Sequence, residues 1–199
     1  NPYRIDNAQH LANLAYMVNE EGKSYKGKYL ILTNDITLND NVLNSSGTGL
    51  RNTESSYKEW IIIGKEYIFC GNFDGQGHTI RGMVCTTSDK YNCYGFFMET
   101  NKATIKNIKM EDCCLKEDDA NFKARIGILC GYARNSTFMN CEISKSAVIV
   151  CSNLGVTVGG IIGNTYKGTN SLNCRFDGYI SITEDDYSIV AGAKRVGGI

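Results

Sequence analysis

Asn107, Asn140 and Asn173 recur at one constant interval, each inside a similar short pattern. The segments read Ile105-Lys106-Asn107-Ile108-Lys109-Met110, Phe138-Met139-Asn140-Cys141-Glu142-Ile143 and Ser171-Leu172-Asn173-Cys174-Arg175-Phe176. Upstream of each, at a nearly constant distance, stands a glycine-apolar run: Tyr94-Gly95-Phe96-Phe97, Ile126-Gly127-Ile128-Leu129 and Gly159-Gly160-Ile161-Ile162. A fourth run, Val196-Gly197-Gly198-Ile199, begins where the chain stops. Self-similarity at such a period signals stacked supersecondary units, each leaving an apolar face for its neighbour to cover.

The units read as strands. Apolar residues recur at every second position, flanked by Lys, Glu, Arg or Ser, so one side of each segment points inward and the other to solvent. Ile80, Met83 and Cys85 match Ile105, Ile108 and Met110, then Phe138, Cys141 and Ile143, a set whose first interval is shorter than its second. Tyr29 to Thr33 reads as a buried strand, followed by a short extended piece at Asn34 to Leu38. Trp60 to Gly64 resumes the strand pattern, and Asp74-Gly75-Gln76-Gly77 marks a tight turn between two extended pieces. Between them, residues 39 to 59 form the least apolar stretch, a loop long enough to suggest a function of its own. In parallel coils equivalent residues sit about 4.8 Å apart, so the three asparagines would form a ladder, each amide bonding the next. Lys109, Glu142 and Arg175 would stack as a column of alternating charge.

The N-terminal segment differs from everything after it. Asp6 followed by Gln9 resembles a capping box, and Leu11, Leu14, Ala15 and Val18 follow at helical spacing. Gly22 can end that helix in the left-handed conformation. Residues 1–22 are expected to cap the open apolar end of a parallel β-helix formed by residues 23–199, which would continue in a parent protein. The chain begins Asn1-Pro2 and ends mid-repeat, which reads as a piece of a larger, processed protein. The expected fold class is all-β, a right-handed parallel β-helix with an N-terminal capping α-helix.

Basic and acidic residues both number 21, so no basic stripe argues for nucleic acid. No run approaches the ~18 apolar residues of a membrane span. Nine cysteines cannot pair completely within one chain, and no CxxC spacing suggests zinc or a redox motif. Cys85, Cys141 and Cys174 occupy apolar repeat positions, so most are expected to be buried free thiols acting as small hydrophobes. Cys141 above Cys174 is expected to be two thiols rather than a disulfide, because stacked side chains point the same way. Adjacent Cys113 and Cys114 remain open.

Seven strings in order resemble the GLUG-repeat family of bacterial surface proteins: Tyr3-Arg4-Ile5, Leu11 to Ala15, Tyr25-Lys26-Gly27-Lys28-Tyr29, Asn34-Asp35-Ile36, Trp60 to Gly64, Phe69 to Ile80, and the glycine-apolar repeats alternating with the asparagine segments. Similar segments precede the catalytic part of immunoglobulin A-specific metallopeptidases. The resemblance implies a right-handed parallel β-helix exported and displayed at the bacterial cell surface. The chain departs from the peptidases in lacking His-Glu-x-x-His; its two histidines, His10 and His78, stand far apart in the sequence.

Parallel β-helices often process polysaccharides through carboxylates on one solvent face. The candidates are Asp74, Asp112, Glu142 and Asp177, with the pairs Asp118-Asp119 and Asp185-Asp186. Glycoside hydrolysis needs two carboxylates about 5 to 9.5 Å apart, and the repeat supplies no such pair at equivalent positions. Asp74 reads as a carboxylate bonding its own turn, and His78 beside it lacks a nucleophile. No EF-hand spacing, phosphate loop or Gly-x-Ser-x-Gly is present. Tyr57, Tyr67, Tyr91, Tyr132, Tyr166 and Tyr187 fall in polar or loop contexts and could contact sugars or proteins. The loop at 39–59 and Asp89-Lys90-Tyr91-Asn92 are the places to look. The expected role is a non-enzymatic adhesion or display module, a secreted or surface-held monomer that binds a glycan or host protein through loops. It is expected to need no cofactor or metal. A polysaccharide lyase or hydrolase is the alternative, and a structural stalk the third.

Overall fold

The computed structural model describes residues 1–86, 92–117, 124–152, 156–182 and 196–197. Asp89 to Tyr91, Asp118-Asp119, Asp185-Asp186, Tyr187, Gly198 and Ile199 lie outside the described residues. The chain folds into five parallel sheets, to which successive coils each contribute one strand. The first holds Tyr3–Ile5, Tyr29–Leu32, Asn72–Asp74, Thr104–Lys106, Thr137–Met139 and Asn170–Leu172. The second holds Ile36–Thr37, Thr79–Arg81, Lys109–Glu111, Glu142–Ile143 and Arg175–Phe176. The third holds Val84–Thr86, Cys113–Glu117, Ala147–Cys151 and Tyr179–Ile182. The fourth holds Cys93–Tyr94, Arg125–Ile126, Thr157–Gly159 and Val196–Gly197, and the fifth Phe97–Asn101, Cys130–Arg134 and Ile162–Thr165. Parallel neighbours need a long crossover; here each coil supplies it, and the result is an all-β, parallel β-helix-like fold.

Inward residues stack in columns from coil to coil. Phe73, Ile105 and Phe138 form one, and Ile80, Met110 and Ile143 another, all with no exposed surface. This corrects the expected match of Ile80 with Ile105, which lie on different faces. The true partner of Ile105 is Phe73, one coil earlier on the same face. The connection from Asp74 to Thr79 is longer than the equivalent one from Lys106 to Lys109. Period-two alternation looks the same on both faces, so it could not show that the Asp74 bend is the longer one.

At that bend the asparagine ladder forms as expected. Asn173 Nδ2 donates to Asn140 Oδ1 at 2.9 Å, Asn140 Nδ2 to Asn107 Oδ1 at 3.0 Å, and Asn107 Nδ2 to Asp74 Oδ1 at 2.9 Å. All three asparagines have φ between 51 and 53°, the left-handed region that Asn tolerates better than most residues with a side chain.

The residues that follow the repeat glycines fill the core: Phe96, Phe97, Ile128, Leu129, Ile161 and Ile162 are buried. Here the fourth and fifth faces meet backbone to backbone. A Cβ on Gly127 would lie 2.4 Å from Gly163 N and 2.6 Å from Cys130 O, which is why no side chain fits. Trp60 stacks on Phe96 with centroids 4.7 Å apart, and Phe69 meets Phe97 at 4.8 Å. Trp60 to Gly64 is not a ladder strand. It bonds one residue at a time, Trp60 N to Val84 O at 2.7 Å and Ile63 by a single bridge to Phe97, while the side chains of Trp60, Ile62 and Ile63 enter the core and that of Ile61 stays exposed.

The helix spans Ala8–Asn19 and buries Leu11, Leu14, Ala15 and Val18, the expected face, in one cluster with Ile5, Leu30, Trp60 and Ile62. Its N-cap is Asn7, not Asp6. Asn7 Oδ1 accepts from His10 N at 3.0 Å, and the His10 ring accepts from Asp6 N at 3.2 Å. Asp6 instead takes the Thr33 hydroxyl on the next coil. Buried Asn19 donates to Ile62 O and accepts from Gly64 N and Lys65 N, each at 2.9 Å.

Candidate functional site

Every strand of the third face also has an outer side. Val84, Cys114 and Val148 stack there in register, apolar and facing away from the main core. Such a stripe needs a cover, and the 39–59 loop provides it. Val42 and Leu43 are buried on the stripe, with Leu50, Tyr57 and Val150 packed around them. Cys113 and Cys114 therefore serve opposite sides of one strand, Cys113 in the main core and Cys114 under the loop.

Side chains from distant coils hold the loop down. Both oxygens of Asp112 are used: Oδ2 accepts from Val42 N at 2.9 Å and Oδ1 from Leu43 N at 3.1 Å. Asn39 closes the base, accepting from Lys58 N at 2.8 Å and donating to Lys58 O and Gly82 O at 2.9 Å. The Tyr57 hydroxyl accepts from Asn52 N and donates to Val42 O. Asn44 N bonds Gly49 O at 3.0 Å, and Asn44 Oδ1 accepts from Thr48 N at 3.0 Å, shaping the tip.

Between this loop and the strands runs an open groove of about 600 Å³. Leu50, Cys114 and Val150 give it an apolar floor, and Thr48, Asn52, Thr53 and Ser55 a rim of hydroxyls and an amide. Glu54 and Lys116, both lining it, form an ion pair across it. Burial pushes the Cys114 thiol up to about 12, so it is a neutral surface at ordinary pH and not a nucleophile. A smaller cavity of about 280 Å³ lies beside the helix, between Ala8, Ala12, Leu38, Trp60 and Ile61.

The sequence candidates are dispersed. Asp74 ends the asparagine ladder, accepting from Asn107 and Gln76 N at 2.9 Å and pairing with Lys106 at 3.1 Å. Burial alone would raise its pKa, but these bonds outweigh it and hold the carboxyl below its usual range. Asp112 is the loop anchor. Glu142 is exposed in register between Lys109 and Arg175, as the charged column requires, although Arg175 bonds Asp177 at 2.7 Å. His78 faces Asp35 at 3.2 Å rather than Asp74. Among the described residues, no three of His, Cys, Asp or Glu are grouped as a metal site would need.

Among the described residues, no tyrosine lines the groove. Tyr57 is consumed in holding the loop, and the guanidinium groups of Arg125 and Arg134 lie over the Tyr132 ring at 4.7 and 5.0 Å. Tyr67 and Tyr166 stand free at 51% and 59% exposure, elsewhere on the surface. The sequence singles out the loop that carries Glu54, but not Lys116 or Val150, which look like ordinary outward strand positions. Only their register under the loop gives them a place.

No protein-family model and no curated protein matches the chain. Among solved structures it is similar to one described as a "putative immunoglobulin A1 protease from Bacteroides ovatus", at 16% identity and a TM-score of 0.43, over 92% of this chain and 68% of that one. No helix among the described residues is long and apolar enough to cross a membrane.

Proposed function

We propose that the chain is a non-enzymatic adhesion or display module of the GLUG-repeat type, exported to a bacterial surface, which holds a stretch of glycan in the groove under the 39–59 loop. The observation that carries this reading is the composition of the groove: an apolar floor beneath a rim of short hydroxyl and amide side chains. A sugar ring has that same division, with C–H faces to lay on Leu50 and Val150 and hydroxyls to bond at the edge. Among the described residues that line it, the groove holds one carboxylate, Glu54, already paired with Lys116, whereas glycoside hydrolysis uses two. The coils are right-handed, in keeping with the general preference of parallel crossovers. The helix caps the first coil, since its apolar face shares a cluster with Ile5 and Leu30. The module is monomeric, and a host surface protein carrying glycans is a natural partner.

The test is a screen of the purified chain against host and plant polysaccharides, with and without calcium, following binding and released reducing ends or unsaturated products in the same wells. Binding without products supports the reading. Product release replaces it with an enzyme, and silence in both channels removes the glycan.

A further inference from the structure

At Gly131 a side chain would not fit: a Cβ there would lie 2.6 Å from Cys93 Cβ and 2.9 Å from Arg125 O. The fourth and fifth faces therefore run close together, and their outward side chains share one patch. Tyr132 is its centre. Glu99 is in register with Tyr132 on the preceding coil, and Asn164 on the following one. The Arg125 and Arg134 guanidiniums lie over the ring at 4.7 and 5.0 Å, so the two cations are within about 10 Å of each other. Thr157 is in register with Arg125, and the coil above thus adds a hydroxyl beside the Asn164 amide.

The charges in this patch do not balance. Arg134 Nε lies 2.5 Å from Glu99 Oε1, and the carboxylate is the deeper partner, its side chain 18% exposed against 42% for Arg134. Arg125 has no equivalent. Among the described residues its guanidinium meets no carboxylate at ion-pair distance, and its hydrogen bond goes to the sulfur of Cys93 at 3.9 Å. Cys93 is one of seven buried cysteines, all of them free thiols, and a thiol sulfur is a weak acceptor. Stacking on an aromatic ring engages the flat face of a guanidinium and leaves the N–H donors at its edge available. Two cations therefore stand outermost, held by one ring, with a single carboxylate set beneath them.

We propose that this patch binds the oxyanion of an acidic saccharide, a carboxylate or a sulfate, with Arg125 as the anchor and Arg134, Asn164 and Thr157 as further donors. The guanidinium fork matches two oxygens of either group. One bound anion neutralises the charge that Glu99 leaves over. A single surplus charge on a chain with no net charge suits an isolated oxyanion, not the run of phosphates on a nucleic acid. The hydroxyl of Thr157 and the amide of Asn164 suit the sugar hydroxyls around that anion. The patch lies on the fourth and fifth faces, whereas the strand residues of the groove under the 39–59 loop lie on the third. It is a second site, and it does not rest on the reading of that groove.

The test is the affinity of the full chain for dextran sulfate, polygalacturonate and neutral dextran, with polyglutamate as an acidic chain that has no sugar ring. At least one acidic polysaccharide should bind and neutral dextran should not; which of the two binds identifies the oxyanion. Arg125→Gln should weaken that binding at least about tenfold. Arg125→Lys, which keeps the charge and loses the fork, should weaken it about threefold. Glu99→Gln removes the opposing charge and should tighten binding about threefold, a gain that a purely structural role would not produce. Lys109→Gln, on the second face, should change it less than about twofold, and Val150→Trp, in the groove, should leave it as it is. Circular dichroism checks that each variant is folded. Unchanged binding in Arg125→Gln, an equal loss in Lys109→Gln or Val150→Trp, or weaker binding in Glu99→Gln would overturn the proposal. So would tighter binding to polyglutamate than to either acidic polysaccharide, or binding to neither.

Discussion

Asp112→Ala tests how the groove is built. Asp112 accepts from Val42 N and Leu43 N across 70 and 69 residues of sequence, so its loss should free the 39–59 loop without touching the main core. A hydrogen bond to a charged group contributes about 1.5 to 3 kcal/mol. Val42 has no exposed surface, so its N–H would be left without a partner away from water. The apolar contacts of Val42 and Leu43 survive and keep part of the loop in place. A net local loss of about 3 kcal/mol corresponds to roughly 100-fold faster opening. Hydrogen exchange at Val42 and Leu43 is the assay, with Met110 and Ile143 as reporters of the main core. Asp112 lies at φ 51°, where alanine adds about 1 kcal/mol of strain spread over the whole fold. Asp112→Asn separates the two effects, because Asn tolerates that backbone and keeps one acceptor oxygen; it should show about a tenfold change at Val42 and Leu43 alone. Unchanged protection there in Asp112→Ala, or equal loss at Met110, would refute the anchoring argument.

Other predictions follow from the same geometry. Asn140→Ala removes a donated and an accepted bond at φ 53° and should cost about 2 to 4 kcal/mol in denaturant midpoint analysis, with Asn140→Gly about 1 kcal/mol milder because glycine accepts that backbone. Gly127→Ala places a methyl 2.4 Å from backbone that cannot move, and should cost at least about 3 kcal/mol, whereas Gly47→Ala, with nothing within 4 Å but a φ of 65°, should cost about 1 kcal/mol. The depressed Asp74 carboxyl stabilises the fold fully above the ordinary carboxyl value of about 3.9, and that contribution disappears as pH falls through the lower folded value. The stability gap between wild type and Asp74→Asn should therefore be widest near neutrality and close in acid; a gap that widens on acidification would reverse the sign.

What the sequence made legible was whatever repeats. Asn107, Asn140 and Asn173 each had to meet one backbone requirement and one neighbour, so the same residue recurs and the ladder could be read off. The glycines of the apolar runs recur for the same kind of reason, a backbone contact repeated in each coil. The first coils are harder to read, because the Asp74 bend is longer than its successors and matching Ile80 with Ile105 by spacing puts it on the wrong face. The groove was least legible. The loop stood out by composition, but Asp112, Lys116 and Val150 join it only through pairings that nothing local in the sequence marks. Asp112 had the profile of a candidate acid and is spent on two backbone amides.

The most direct test of the account is to plug the groove. Val150 lies half-exposed on its floor, beside Lys116 of the preceding coil, so Val150→Trp should fill the space while leaving the inward columns alone. Binding of the best polysaccharide from the screen would be measured for wild type and variant side by side, with circular dichroism to confirm that both are folded. The account predicts at least tenfold weaker binding by the variant, and no sugar products from either protein. Equal affinity in the two, or products released by the wild type, would contradict it.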